Sequence, residues 1–455
     1  MKMEALAPVR DLDGIEAALY EPIGSTEDEL TRRNRADQEF RSQLGVWMVG
    51  QGWEASSNEE ALRRNLERAA QLSCYVLVTR LVFYEVLRKR FKVLTPLAGI
   101  EADSPEAMSE ILGARLNEAV RYSQDYKTVF PPKDFGSTLP FLASDAHLHW
   151  GIVVRRIEEF DFSRLDFDVI GQLYERLIDP RERRRYGQYY TSPDVVDLIN
   201  AFCIRTPDAA LLDPACGGGT FLVRAYARKQ ALARRLGQRI DHRHMLAGIY
   251  GVDRATFPAQ LSTINLAVRS ITNEANYPRV GRENFFDVQN GFPLTRLPVN
   301  ESTTENIFIP ALDAVVGNPP YIRQEHVGKQ DKQLMDNLVR KEWPGGTRFS
   351  GRSDIYVHFF AHAASFLKPG GYLGFVTSIG WLDTDYGFRL QEFFLRNFRI
   401  VAVLESQVEK WFEGARVTTA VTILQREEDA ERRLDNKVRF IQLLKPLAEI
   451  YGTLI

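Results

Sequence analysis

The chain has 455 residues, enough for two or three domains and a large apolar core. Its 58 Lys and Arg are offset by 60 Asp and Glu, for a formal net charge of -2. That balance excludes a chain that grips nucleic acid by charge alone, because phosphate neutralisation needs a strongly basic surface; any such surface must be local or borrowed. Cys74, Cys203 and Cys216 show no C-x-x-C or Cys/His spacing, so neither a disulfide framework nor a metal site is expected. With no signal peptide or apolar run of membrane-spanning length, the sequence reads as cytoplasmic and reduced.

Residues 1–165 carry helical periodicity without a glycine-rich turn and predict an all-helical N-terminal domain for contact with DNA or a partner. Leu72–Leu87 reads as one buried helix ending in the basic run Arg88–Lys92, while Pro131, Pro132 and Gly136 mark a break. From about residue 166, β-rich runs alternate with helical stretches: 210–213, 248–253, 279–284, 312–316, 372–377, 400–405 and 417–424. Such alternation predicts an α/β, doubly wound, Rossmann-like sheet over 166–432. Residues 433–455 read as a C-terminal extension, with no room after them for the recognition domain that base-specific binding needs.

Two motifs carry the chemistry. Asn318-Pro319-Pro320-Tyr321 closes an apolar strand. Its prolines lack N–H donors and have fixed φ, so their carbonyls can be aimed outward beside the Asn318 oxygen, and Tyr321 offers a flat face. Together they form a grip for a planar amine on a stacked base. Upstream, Leu211-Leu-Asp213-Pro-Ala215-Cys-Gly217-Gly-Gly219-Thr220-Phe221 runs from strand through glycines into helix, a turn that lets backbone approach a nucleotide-like ligand. It lacks the Lys of phosphate loops. Asp213 at the strand end suits an ammonium or sulfonium group such as that of S-adenosylmethionine. Asp253, closing Tyr250-Gly-Val-Asp, is placed to accept from ribose hydroxyls.

Taken in this order, the glycine turn followed by NPPY, the chain resembles N6-adenine DNA methyltransferases of the gamma arrangement: type I modification subunits, type IIG-like enzymes and the adenine methyltransferases of phage-defence loci. The similarity spans roughly Phe167–Gln425. It implies a class I S-adenosylmethionine-dependent sheet and carries further roles. Gly187-Gln-Tyr-Tyr190-Thr191-Ser192-Pro193 resembles the family's cofactor motif with one extra residue, Ser192, making Tyr190 and Thr191 cofactor contacts; the same Thr-Ser-Pro-Asp is also a good helix start. Glu283-Asn284-Phe285-Phe286-Asp287 resembles the adenine-binding motif, with Asn284 or Asp287 as the polar contact and Phe285 as the packing ring, against the alternative that both Phe are plain core. Phe412, before Val417-Thr-Thr-Ala-Val, resembles a second stacking surface opposite Tyr321 for a flipped base, or is a buried loop aromatic.

For DNA contact the sequence offers the stretch from Ile322 to Arg352, long for a loop, with Arg323, Lys329, Arg348 and Arg352, and the cluster Arg183, Arg184 and Arg185; solvated charge explains that cluster equally well. The expected activity is transfer of a methyl group from S-adenosylmethionine to adenine N6 in double-stranded DNA, with a specificity subunit or other defence protein as partner. RNA or protein-glutamine methylation at the same NPPY site, and a non-catalytic cofactor-binding scaffold, are the alternatives.

Overall fold

The computed structural model describes residues 12–51, 53, 58–122, 130, 133–160, 191–267, 269, 277–298, 303–322, 327–344, 349, 353–411 and 418–453. By internal contacts the chain divides into two units, one of Met1–Leu177, Ala255–Asn276 and Pro298–Thr303, the other of Ile178–Arg254, Tyr277–Leu297 and Thr304–Ile455.

The first unit is helical among its described residues, as expected. Its axis is the helix Glu59–Arg90, which begins where the Asn58 side chain accepts the Glu60 N–H and places two acids in its positive first turn. The helix is long and apolar enough to cross a membrane, but 78% of its most apolar window is buried within the fold. It is therefore explained as the core helix of this unit. Tyr20–Ala36, Pro105–Tyr122 and Ala146–Glu159 pack around it, and Trp150, fully buried, donates from its indole N–H to the Pro140 carbonyl at 2.9 Å. Of the basic run, Arg88 is already committed to the buried Glu85. The helix Thr256–Ala267, which sequence order alone would place among the α/β elements, belongs to this unit.

Among its described residues the second unit is built on a sheet of eight strands. In chain order they are β1 (Leu211–Asp213), β2 (Ile249–Asp253), β3 (Arg279–Arg282), β6 (Leu312–Gly317), β7 (Leu367–Ser378), β8 (Phe398–Ser406), β9 (Thr419–Arg426) and β10 (Arg439–Leu443). A separate two-stranded piece holds β4 (Pro293–Pro298) and β5 (Thr304–Phe308). The spatial order is β10-β8-β9-β7-β6-β1-β2-β3. β9 runs antiparallel between β7 and β8, and the remaining pairs are parallel. All seven strands expected from the alternation are present. The sheet also continues through β10, inside the stretch read as a C-terminal extension; with Arg439 and Phe440 exposed, it lacks the apolar pattern that marks an inner strand.

Helices cover both faces. Alternation along β7 sends Leu373 and Phe375 into the core beneath Ile355–Ser365 and Gly387–Asn397. Gly374 faces the helix Pro193–Cys203 so closely that a Cβ would fall 2.6 Å from the Cys203 sulfur. On that face lies Lys229, of the helix Thr220–Arg235, 1% exposed and donating from Nζ to the Ala209 carbonyl at 2.8 Å. Burial lowers its pKa to about 8, against the opposing pull of Asp208 and Asp313.

Between about pH 8 and its ordinary 10.5 the unfolded chain holds a proton on Lys229 that the folded one has lost. Stability should therefore rise with pH across that window and level off at its lower value below about pH 8. The span is worth on the order of 3 kcal/mol. Lys229→Met should remove this slope and stabilise the protein at neutral pH, as read by urea unfolding across the window; an unchanged slope would contradict the assignment.

Candidate functional site

Parallel strands bring their carboxyl ends to one edge, and β1, β2 and β6 are neighbours. The glycine turn leaves β1 with Gly217 and Gly219 at φ +53° and +88°, values that a side chain would strain, and a Cβ on Gly217 would point into open space. Cys216 N–H donates to the Val252 carbonyl at 2.9 Å, tying the turn to β2. Gly217 N–H donates to Asp253 Oδ2 at 3.0 Å, so the expected ribose acceptor also shapes the turn. Gly219 ends the turn as the residue before the helix, Thr220 is half-buried, and Phe221 is buried in the core.

Asp213 is 1% exposed and accepts the Ala215 N–H at 3.1 Å. Burial first, and Asp253 second, raise its pKa to about 8. Among the described residues no basic side chain pairs with it. Its Oδ1 would lie 2.7 Å from a Cβ on Gly317, the residue preceding the NPPY motif. Only glycine fits there, a requirement set by the distant Asp213 and not by the local sequence. This contact brings the two motifs together.

Asn318, half-buried, donates from Nδ2 to Thr191 Oγ1 at 3.1 Å, which holds its side-chain amide with Oδ1 as the accepting end. The structure thus joins Thr191 to the NPPY asparagine, and one hydrogen bond further along Ser192 N–H donates to the Trp411 carbonyl. Pro319 is buried and Pro320 half-buried. Tyr321 donates from its hydroxyl to the Val376 carbonyl at 3.0 Å, which fixes the ring's far end and leaves its half-exposed face.

Behind Tyr321 runs a network of hydrogen bonds. Ile355 N–H donates to the Ile322 carbonyl at 3.1 Å, and Asp354 Oδ2 accepts from the Tyr386 hydroxyl at 3.2 Å. With its own proton so used, Tyr386 accepts from Tyr356 at 3.0 Å. Burial raises both phenol pKa values, so both remain donors. The chain leaving NPPY is in this way tied to the helix Ile355–Ser365.

Asn284 caps the short turn Phe285–Asp287 by accepting the Phe286 N–H at 3.3 Å, and Glu283 N–H donates to the Asp253 carbonyl at 3.1 Å, setting this turn at the end of β2. Asp287 is exposed. Phe285 is 3% exposed, its ring 5.3 Å from Phe359 and 4.5 Å from His362, so it packs in the core instead of standing free. Lys329 is exposed at the start of a helix, Lys329–Glu342, that replaces the long loop expected there; Met335, Leu338 and Val339 bury one face of it. Tyr190, Arg183, Arg184, Arg185, Arg323, Arg348, Arg352 and Phe412 lie outside the described residues.

The strand-end acids, the glycine turn and the polar tetrapeptide meet on a sheet of the doubly wound type. Residues 165–450 match the N-6 DNA methylase family. The chain belongs to that family. It is 28% identical over 263 residues to the type II methyltransferase M.BstVI of Geobacillus stearothermophilus, covering 52% of this chain and 41% of that one. It is 27% identical to M.XamI of Xanthomonas campestris pv. amaranthicola, covering 60% and 45%, and thus spans less than half the length of either relative. Among solved structures, the DrdV–DNA complex superposes with a TM-score of 0.57 at 13% identity, covering 95% of this chain and 42% of that one. A type I restriction-modification methyltransferase subunit from Streptococcus thermophilus gives 0.50 at 17%, covering 96% and 92%. The chain therefore shares the fold of that methyltransferase subunit.

A buried Asp with a raised pKa makes a stability prediction. Between its ordinary 3.8 and about 8 the folded state holds a proton that the unfolded chain has released, so stability falls as pH rises through that window. Asp213→Asn keeps the acceptor for the Ala215 N–H and removes the titration. It should stabilise the protein at pH 7 by at least about 2 kcal/mol in denaturant unfolding, and equal stability would show that the carboxyl is better solvated than its burial implies.

Proposed function

We propose that this methylase transfers the methyl group of S-adenosylmethionine to N6 of an adenine flipped out of duplex DNA, in a restriction-modification or phage-defence system. The observation that carries the reading is the Asn318 amide, held by Thr191 with Oδ1 as its accepting end, one residue from the Gly317–Asp213 contact. A buried acid suited to a cationic nucleoside and a grip for a planar amine would thereby share one strand-end edge.

The residues fit the cofactor. Asp213, buried without a basic partner among the described residues, suits a positively charged ligand; the open space at Gly217 lets backbone approach it, and Asp253 and Asn284 or Asp287 stand at the neighbouring strand end. Ala215, Gly219, Thr220 and Phe221 would line or support the same turn. When bound, S-adenosylmethionine supplies an electrophilic methyl group. The protein's part is orientation: Asn318 Oδ1 and the Pro319 carbonyl each accept one N6–H, holding the nitrogen lone pair, otherwise delocalised into the ring, toward that methyl group. Positioning of this kind is worth several kcal/mol, and acceptors aimed at a developing cationic amine stabilise the transition state as fixed dipoles. Tyr321 stacks on the base, with Phe412 as its proposed counterpart. The unpairing cost of a few kcal/mol is partly offset by stacking.

Sequence recognition is proposed to come from a partner or a further domain. The chain's charge is near zero, phosphate contacts position without specifying, and the chain is 28% identical over 173 residues to a type I restriction enzyme MjaVII methylase subunit. Duplex binding is assigned to Lys329 and to Arg183, Arg184, Arg185, Arg323, Arg348 and Arg352.

Incubation with tritiated S-adenosylmethionine and DNA, RNA or protein should label DNA, and label confined to RNA or protein would overturn the reading. Asn318→Ala should abolish transfer while keeping calorimetric cofactor affinity, since the lost acceptor serves the amine; a parallel loss of cofactor binding would remove that role. Asp253→Ala should weaken cofactor binding by roughly 1 to 3 kcal/mol through lost hydrogen bonds, and unchanged affinity would leave Asp253 as a turn residue only.

A further inference from the structure

Behind the short turn Phe285–Asp287 sits a fully buried histidine that the proposed chemistry does not use. His362 Nε2 lies 3.0 Å from both the Phe285 and the Val288 carbonyls, and Nδ1 lies 2.6 Å from Glu342 Oε1. Two carbonyls can only accept, so Nε2 carries a proton, and a further proton is shared between Nδ1 and the carboxylate. Ser365 Oγ, which donates to the His362 carbonyl at 2.7 Å, lies 3.1 Å from Glu342 Oε1, while Glu342 Oε2 is buried with no hydrogen-bond partner among the described residues. The cost of burying such a group is hard to assign to packing alone.

Glu342 is the last residue of the helix Lys329–Glu342. That helix begins seven residues after the chain leaves Ile322, and it exposes Lys329, Arg340 and Lys341. A second tie joins it to the same turn: Lys341 Nζ donates to Gln289 Oε1 at 3.1 Å. From below, Asn290 Nδ2 donates to the Ser365 carbonyl at 3.2 Å. One turn earlier, His358 Nε2 and Asp336 Oδ1 make a looser copy of the pair at 3.4 Å.

We propose that Glu342 and His362 are positioning residues that couple the basic helix Lys329–Glu342 to the Asn284–Val288 turn, so that duplex DNA on the helix tightens the hold on S-adenosylmethionine and the cofactor tightens the hold on DNA. The inference rests on the reading that this turn meets the cofactor adenine. Its physical content is a single bridge with two ends. Movement of the helix terminus shifts the Glu342 carboxylate, the carboxylate turns the imidazole, and the imidazole carries the two carbonyls that define the turn. Coupling through such a bridge is reciprocal by thermodynamic necessity.

The test measures S-adenosylmethionine affinity of the full chain by calorimetry, with and without a saturating short unmethylated duplex at low salt. Wild type should bind the cofactor at least about fivefold more tightly with the duplex, the lower range of known couplings. Glu342→Ala should bring that factor close to one, and Glu342→Gln, whose amide can still donate to Nδ1, should restore most of it. A purely structural role would weaken both affinities and leave the factor unchanged, which would overturn the proposal. No cofactor binding by wild type would instead overturn the underlying reading, and this inference with it. Should Glu342→Ala fail to fold, hydrogen exchange on wild type decides: residues 284–290 should gain protection when duplex is added without cofactor, and no gain there would contradict the coupling.

Discussion

A carboxyl group buried at the end of a central strand, pressed against a residue that has no side chain, is the constraint on which the site is organised. Asp213 and Gly317 stand on neighbouring parallel strands, and the close approach of one to the other fixes how the glycine turn and the NPPY tetrapeptide face each other. Any side chain at 317 would drive β6 away from the turn or push Asp213 out of its pocket. Burial makes the carboxyl expensive to ionise. A fold that keeps such a group has exchanged stability for a place where a cationic ligand would be strongly favoured, a trade common at functional sites.

The arrangement around that contact is supported from behind more than it is built in front. Thr191 orients Asn318, Val376 holds the Tyr321 hydroxyl, and the Tyr356–Tyr386–Asp354 chain secures the residues that follow. Each link is one hydrogen bond, worth about 1 kcal/mol net by itself. Their combined effect lies in geometry, because misplacement of about 1 Å at a reacting group can cost a hundredfold in rate.

Much of this was legible in the sequence. The strands announced themselves by short apolar runs between turn residues, and the two motifs by residue types that ordinary turns do not need. What stayed hidden has identifiable causes. β10 exposes Arg439 and Phe440, so no apolar run marks it. The helix Lys329–Glu342 is rich in charge, and only Met335, Leu338 and Val339 betray its buried face. The helix Thr256–Ala267 is buried almost all round, Ser262, Thr263 and Asn265 included, and its mixed sequence does not say which unit it joins. Phe285, following Asn284, could be read either as an adenine-packing ring or as plain core, and its contacts with Phe359, His362 and Phe366 could not be read from that spacing. The Gly317 requirement and the Glu342–His362 bridge are contacts across long sequence separations, which single-chain pattern does not report.

The central claim is that the amine held by Asn318 and Pro319 is adenine N6 in DNA. It is tested most directly by incubating the protein with duplex DNA and tritiated S-adenosylmethionine, digesting the DNA to nucleosides and identifying the one that carries the label. The account predicts label in N6-methyldeoxyadenosine alone, whereas label in a methylated cytosine nucleoside would contradict it.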